Sequence, residues 1–265
     1  MNKLSIIILS HNTSDLLKKC LESVIKEKKL EDEVIAVDNS STDDSPEMVQ
    51  KDFPQVKLIL SKKNLGYSAG NNLGIKRSTG EYILLLNSDI VVLEGALTKM
   101  VQFMEEHPEA AVLGPKLLNA DGTSQPSTGQ EYDLLNTFLL LCGDRERVAP
   151  ESITEGYWVS GAALMTRRSI FDRIGFLDEN IFMYFEEIEW CLRVKRAGLK
   201  IFYYPEAKII HFGGKHGGSS GTRKESVKNI HKSIIYLYQK HYNKTEQKIV
   251  KFLIKVKEKF NKYRK

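Results

Sequence analysis

The sequence predicts an α/β fold, a mostly parallel central sheet with helices on both faces. Three observations carry this. Short, continuously apolar runs recur along the first part of the chain: LSIIILS (4–10), EVIAVD (33–38), KLIL (57–60), EYILLLN (81–87) and AAVLG (110–114). Amphipathic helical patterns stand between them. Polar residues crowd at the carboxyl ends of the runs. Strands apolar on both sides need cover on both faces, and alternation with helices supplies it.

Taken in order, the first strand is followed by Leu16, Leu17, Cys20, Leu21, Val24 and Ile25 on one helical face, with Thr13 or Ser14 as N-cap. The second strand ends at Asp38 in the turn NSSTDDS. After the third strand comes a Gly/Asn-rich segment, NLGYSAGNNLG (64–74), and a short helix leading to the fourth. Leu97, Met100, Val101 and Met104 mark a further helix before the fifth strand. Residues 115–157 lose periodicity, with turn signals at NADG and QPSTG and one apolar run, TFLLLC (137–142). They read as an insertion near the mouth of a site. Residues 156–175 read as strand then helix, and 185–198 as a helix closed by Gly198. KIFYYP reads as a last strand ending at Pro205, before the glycine-rich segment 211–224. No internal repeat is present.

Composition bounds the class. With 265 residues and 42% apolar content the chain can bury one large core. Cys20, Cys142 and Cys191 are odd in number and widely spaced, which argues against a disulfide scaffold or zinc cluster and for a reducing compartment. The N-terminal apolar run is too short for a signal peptide, and no stretch approaches the roughly 20 apolar residues of a membrane span. The expected location is therefore the cytoplasm. The net charge of +5 is unevenly spread: residues 228–265 hold 12 Lys/Arg against two acids, a net +10, leaving −5 for the rest. A slightly acidic body does not suit nucleic-acid binding. The natural division is a globular domain over 1–227 and a basic amphipathic helical tail over 228–265. In the tail Ile249, Phe252, Leu253, Val256, Phe260 and Tyr263 gather on one helical face with lysines around the rest, which suits the surface of an anionic membrane. The alternative is a helix packed on the domain or paired with another chain, so an oligomer stays open.

In open α/β sheets ligands bind beyond the carboxyl ends of the strands. Ser10, Asn12, Asp38, Asn39, Asn87, Ser88 and Asp89 occupy that position. Asp38 can accept the ring N–H of a uracil or thymine, although Asp and Asn also serve as plain turn formers. Asp89 can help hold a divalent ion against a diphosphate, although one carboxylate is no ligand set. The amides of 64–74 can approach a ligand closely. Their spacing matches neither a P-loop nor G-x-G-x-x-G, so ATP and NAD lose support. Glu186, Glu187 and Glu189 follow the aromatic run IFMYF. On a helix 186 and 189 share a face while 187 points about 100° away. Three acids suit a helix N-terminus, and the apolar flanks make a carboxylate a better base. His211 is a candidate nitrogen ligand to a metal, or a structural histidine.

In their order along the chain, the opening strand with Ser-His-Asn, VDNSS, NLGYSAGNNLG, GEYILLLNSD, WVSGAALMTRR, FMYFEEIEWCLR with RAG, and YYPEAKIIH resemble family 2 glycosyltransferases of the GT-A fold, particularly the bacterial rhamnosyltransferase-like branch. The resemblance runs from Leu4 to about Ser219. It implies a GT-A domain over 1–227 and an inverting, metal-dependent transferase. The donor would be dTDP-rhamnose or a UDP-sugar, and the acceptor a saccharide or lipid-linked sugar in cell-surface polysaccharide synthesis. By the same resemblance Asp38 holds the base, with Ser10, Asn12, Asn64 and Ser88 around the nucleotide. Asp89 takes Mg²⁺ or Mn²⁺, His211 is a second ligand and Glu187 is the general base. The sequence departs from the family pattern in three places: His11 for an aromatic residue, Asn-Ser-Asp for two aspartates, and Glu-Glu for the usual Glu-Asp, with Glu189 for a frequent Asp.

Two other readings remain on the sequence alone. A scaffold on the same fold would bind nucleotide-sugars without catalysis. A nucleotidyltransferase would carry a basic glycine-rich loop after its first strand, where this chain has SHNTSD.

Overall fold

In the computed structural model, which describes residues 3–143, 149–213 and 222–263, the first half of the chain alternates strand and helix. Strands β1 (Leu4–Ser10), β2 (Glu33–Asp38), β3 (Lys57–Leu60) and β4 (Tyr82–Asn87) are joined through α1 (Ser14–Glu27), α2 (Ser45–Asp52) and α3 (Gly66–Arg77). They pair in parallel in the order β3-β2-β1-β4. Ile6, Ile7 and Ile8 are all fully buried. Successive side chains of a strand point to opposite faces, so the sheet is covered on both.

The chain continues through β5 (Ile90–Val92), α4 (Ala96–Glu106), β6 (Ala110–Leu118), β7 (Ser124–Gln125), β8 (Thr128–Gly129), α5 (Leu134–Cys142), β9 (Thr154–Gly156) and β10 (Trp158–Val159). It closes with β11 (Ala163–Arg167), α6 (Arg168–Ile174), α7 (Glu186–Arg196), β12 (Lys200–His211), α8 (Arg223–His241) and α9 (Lys244–Tyr263). The main sheet extends beyond β4 as β11-β6-β12-β5. Strand β11 lies antiparallel between β4 and β6, while β12 is parallel to β6 and antiparallel to β5.

Three local readings change. The described residues of 115–157 complete β6 and supply β7, β8, α5 and β9. Most of 64–74 is helix α3 rather than a ligand-cradling loop. A Cβ on Gly70 would lie 2.5 Å from Leu9 Cδ1, and one on Gly74 2.4 Å from Ile7 Cγ2. Those glycines let α3 lie close on β1. The last strand does not stop at Pro205. Its pairing with β6 shifts between Tyr204 and Lys208, then resumes to Ile210. Proline is tolerated at such an irregularity, and the strand runs on to His211.

The tail is two helices, and the expected boundary after residue 227 falls inside α8. Thr222 caps α8 in a reciprocal capping box with Glu225. Ile234, Leu237 and Tyr238 of α8 and Val250 and Ile254 of α9 are buried in the same core cluster as Trp190 of α7. Of the apolar stripe expected on α9, Leu253 packs against this cluster, while Ile249 and Phe252 are 41% and 65% exposed. Phe260 lies outside the residues whose side chains are described. Among the described residues no helix is long and apolar enough to cross a membrane.

Candidate active site

The carboxyl ends of β1, β2 and β4, the start of α3, the turn before β11, the start of α7 and the end of β12 surround a cavity of about 360 Å³. That is the size range of small-molecule sites. Of the residues singled out from sequence, Ser10, Asn39, Asn64, Asn87, Ser88, Asp89, Glu186, Glu187 and His211 line it.

The floor is a chain of hydroxyls. Thr13 precedes α1, but its side chain does not cap the helix. Its Oγ1 bonds instead to Ser10 Oγ and to Ser88 Oγ, both at 2.8 Å. One wall is held by Asn39, whose Nδ2 donates to Asn64 Oδ1 and to the Gly66 carbonyl, and whose Oδ1 accepts from Leu65 N–H. This network fixes the turn into α3, where Gly66 has φ +77° and packs against the Phe182 carbonyl.

Asp38 and Asn12 do not line the cavity. Asp38 Oδ2 accepts from Ser41 N–H, while Oδ1 is buried with no partner. Asn12, in the left-handed region at φ 54°, accepts from Thr42 N–H through Oδ1 and donates its own N–H to Ser41 Oγ. Its side chain ties the loop after β1 to the turn after β2.

Across the cavity, the first turn of α7 presents Glu186 and Glu187. The turn before it is unusual: Tyr184 and Phe185 both have positive φ, 69° and 71°. Such conformations cost about 1–3 kcal/mol each and persist only where the surroundings hold them. Phe185 is buried against Tyr132, and Tyr184 Oη donates to Ser226 Oγ of α8. Both Glu186 and Glu187 therefore face the cavity, where helical spacing alone pairs 186 with 189. Burial pushes the Glu186 carboxyl well above its ordinary range, and the neighbouring Glu187 charge adds to it. Burial also raises Glu187, against the backbone amides of Glu187 itself, Gly161 and Ile188. Each keeps one buried oxygen without a partner. Tyr67, which donates to the Gly161 carbonyl, forms the wall beside them.

Glu189 is elsewhere. Fully buried, it accepts from Arg193, His241 Nε2 and Lys240. Burial alone would raise its carboxyl, but the hydrogen bonds from His241 and Arg193 bring it down to about 2. Its oxygens are committed to joining α7 to α8.

At the far side, pairing of β12 with β5 brings His211 opposite Ile90. His211 Nε2 and Asp89 Oδ1 lie 3.5 Å apart, too far for a hydrogen bond. Both line the cavity. Among the described residues no group of three or more His, Cys, Asp or Glu converges as a complete ligand set. One oxygen and one nitrogen ligand fit an ion that completes its shell with a diphosphate and water. Sequence reasoning gave Thr13 and Tyr67 no place in the site and set Glu186 with Glu189. Thr13 was read as a helix cap and Tyr67 lay in an apparent loop, while Glu186 shared a helical face with Glu189.

The family described as "Glycosyl transferase family 2" matches over residues 5–192, and the chain belongs to it. An N-acetylglucosaminyl-diphospho-decaprenol L-rhamnosyltransferase of Mycobacterium tuberculosis is 27% identical over 78% of this chain and 75% of its own length. Rhamnosyltransferase WbbL of Escherichia coli is 26% identical over 78% of this chain and 82% of its own. Among solved structures, a mannosyltransferase from Pyrobaculum calidifontis in complex with GDP-Man and Mn²⁺ superposes with a TM-score of 0.65, at 15% identity, over 94% of this chain and 68% of that one. The chain is a glycosyltransferase with the GT-A fold, similar to rhamnosyltransferases, as its motifs imply.

Proposed function

We propose that this chain transfers a deoxyhexose or hexose from a dTDP- or UDP-sugar to a sugar carried on a lipid diphosphate, with inversion and with a divalent cation. One observation carries the reading: two buried carboxyls with unpartnered oxygens face an Asp–His pair across a single cavity lined by the nucleotide-side residues Ser10, Asn39 and Asn64. In this reading Glu187, already raised towards the range of an effective base, takes the proton of the attacking hydroxyl. Glu186, whose carboxyl burial and the Glu187 charge raise well above its ordinary range, lies beside it on the cavity wall. Asp38 Oδ1, lacking a partner, would accept the base N–H after a small opening of the turn held by Asn12.

Asp89 and His211 would hold Mg²⁺ or Mn²⁺, which when bound supplies positive charge to the diphosphate. The relatives' names support a lipid-linked acceptor, and the solved mannosyltransferase supports a divalent ion. An anionic membrane surface would then be reached through the exposed apolar residues of α9 and its lysines.

The metal reading is tested by assaying sugar transfer in excess EDTA and with Asp89→Ala. Both should abolish transfer, and readdition of Mn²⁺ should rescue only the EDTA-treated protein. Full turnover in EDTA contradicts it.

A further inference from the structure

A directed chain of hydrogen bonds leads from the hairpin between β6 and β7 to His211. It starts at Asp121, whose carboxylate can only accept. Thr123 Oγ1 donates to Asp121 Oδ1 at 2.6 Å, and Thr123 N–H donates to the same oxygen at 3.0 Å. Having given its proton to Asp121, Thr123 Oγ1 accepts from Asn119 Nδ2 at 2.8 Å. That fixes the Asn119 amide, so Asn119 Oδ1 faces Gln125 and accepts from its Nε2 at 2.8 Å. Gln125 Nε2 also donates to the backbone carbonyl of His211 at 2.6 Å. With the amide nitrogen committed to two acceptors, Gln125 Oε1 is the atom facing His211 Nδ1, at 2.9 Å.

An amide oxygen only accepts, so Nδ1 carries the proton. In the neutral ring the lone pair is then on Nε2, the nitrogen aimed at Asp89. The sheet enforces the arrangement: Gln125 pairs with Leu117 on β6, and β6 runs beside the end of β12.

We propose that Gln125, oriented through Asn119 and Thr123 by the Asp121 carboxylate, is a positioning residue that holds His211 in its Nδ1–H tautomer and so presents Nε2 to the cation. The proposal rests on the Asp89–His211 metal reading for its purpose, but not for its geometry. The partners of metal-bound histidines generally fix tautomer and ring orientation, and losing them weakens metal binding about 10- to 100-fold.

Two measurements separate the two claims. The first is a long-range ¹H–¹⁵N spectrum of the metal-free protein at about pH 8, where an unperturbed imidazole is neutral. The His211 signals are identified by their loss in His211→Asn. The wild type should show Nδ1–H, and Gln125→Leu should move His211 toward Nε2–H. Thr123→Val, which touches neither His211 nor Asp89, should move it part of the way. An Nε2–H ring in the wild type, or a tautomer unchanged in both variants, overturns the proposal.

The second measurement is Mn²⁺ binding by electron paramagnetic resonance in the presence of UDP. It should weaken about 10- to 100-fold in Gln125→Leu. Equal affinity in wild type and Gln125→Leu overturns the positioning role. Absence of Mn²⁺ binding in the wild type, with the Nδ1–H tautomer intact, overturns the metal reading instead and leaves the hydrogen-bond chain standing.

Discussion

Glu186 and Glu189 sit on the same helix and meet opposite surroundings. Glu186 is buried beside another carboxyl, which raises its pKa; Glu189 is buried among Arg193, Lys240 and His241, which lowers its own to about 2. The signs of their pH effects follow. A carboxyl raised in the folded state costs stability once pH passes its unfolded value near 4.5, because the unfolded chain ionises freely. The lowered Glu189 contributes stability above about 4.5 and loses it as pH falls toward 2. Glu186→Gln cannot ionise. It should therefore gain melting temperature over the wild type as pH rises from about 4.5 to 8, each unit of pKa difference being worth about 1.4 kcal/mol. Thermal melts at a series of pH values check this, and a difference flat in pH contradicts it.

These surroundings explain what could be read from residues alone. Asp89 and His211 announce themselves as polar residues at strand ends, and the cavity has both. Asn12 looked the same in sequence, yet its carbonyl is consumed by Thr42 N–H, a contact between segments some thirty residues apart. Gln125 gave no signal, since a single glutamine in a turn-rich stretch matches no chemical pattern.

At the scale of elements, apolar content identified β1, β2 and β4, which are mostly buried, and β3, a partly exposed edge strand. It could not give direction. The ALM of β11 reads like any core strand, and only the path of the intervening chain turns it antiparallel between β4 and β6. Glycines misled at α3, where they serve close packing on β1, and Pro205 misled at β12, where the shifted register absorbs it. Helix α9 has two apolar faces. Val250 and Ile254 are buried, so cutting the tail off would open the core; Ile249 and Phe252 are exposed. The neighbouring α5 also exposes Leu135 and Phe138, at 64% and 44%. Phosphatidylglycerol vesicles should therefore bind the full chain at low salt and release it at high salt. Ile249→Asp with Phe252→Asp should weaken sedimentation with vesicles more than tenfold, since each apolar side chain is worth about 1.5–3 kcal/mol on burial. The far-UV spectrum should not change. A chain that stays in the supernatant with every lipid composition contradicts membrane binding.

The whole molecule brings one parallel half and one mixed half to a common cavity. The β1–β4 half supplies Ser10, Asn39, Asn64 and Asp89, whose places follow from strand ends. The other half supplies Glu186 and Glu187 from α7 and His211 from β12. Helix α8 ties the two acids down: Glu189 binds Lys240 and His241, and Tyr184 binds Ser226. The first turn of α7 is thus braced by Lys240 and His241 of the tail that composition set apart from the domain, and its strained entry by Ser226 just before that tail. This is the level at which the sequence was least legible, because the brace depends on residues far apart in the chain.

The central claim is that Glu187 removes the acceptor proton, and it is tested by comparing wild type and Glu187→Gln with dTDP-rhamnose and UDP-sugars. Nucleoside diphosphate release is measured with and without a lipid-diphosphate-linked N-acetylglucosamine acceptor, alongside donor binding by thermal shift. The account predicts acceptor-dependent release by the wild type. It predicts unchanged donor binding by Glu187→Gln, with turnover lower by about 10²- to 10⁴-fold, the usual contribution of a general base. Wild-type turnover in Glu187→Gln would contradict it.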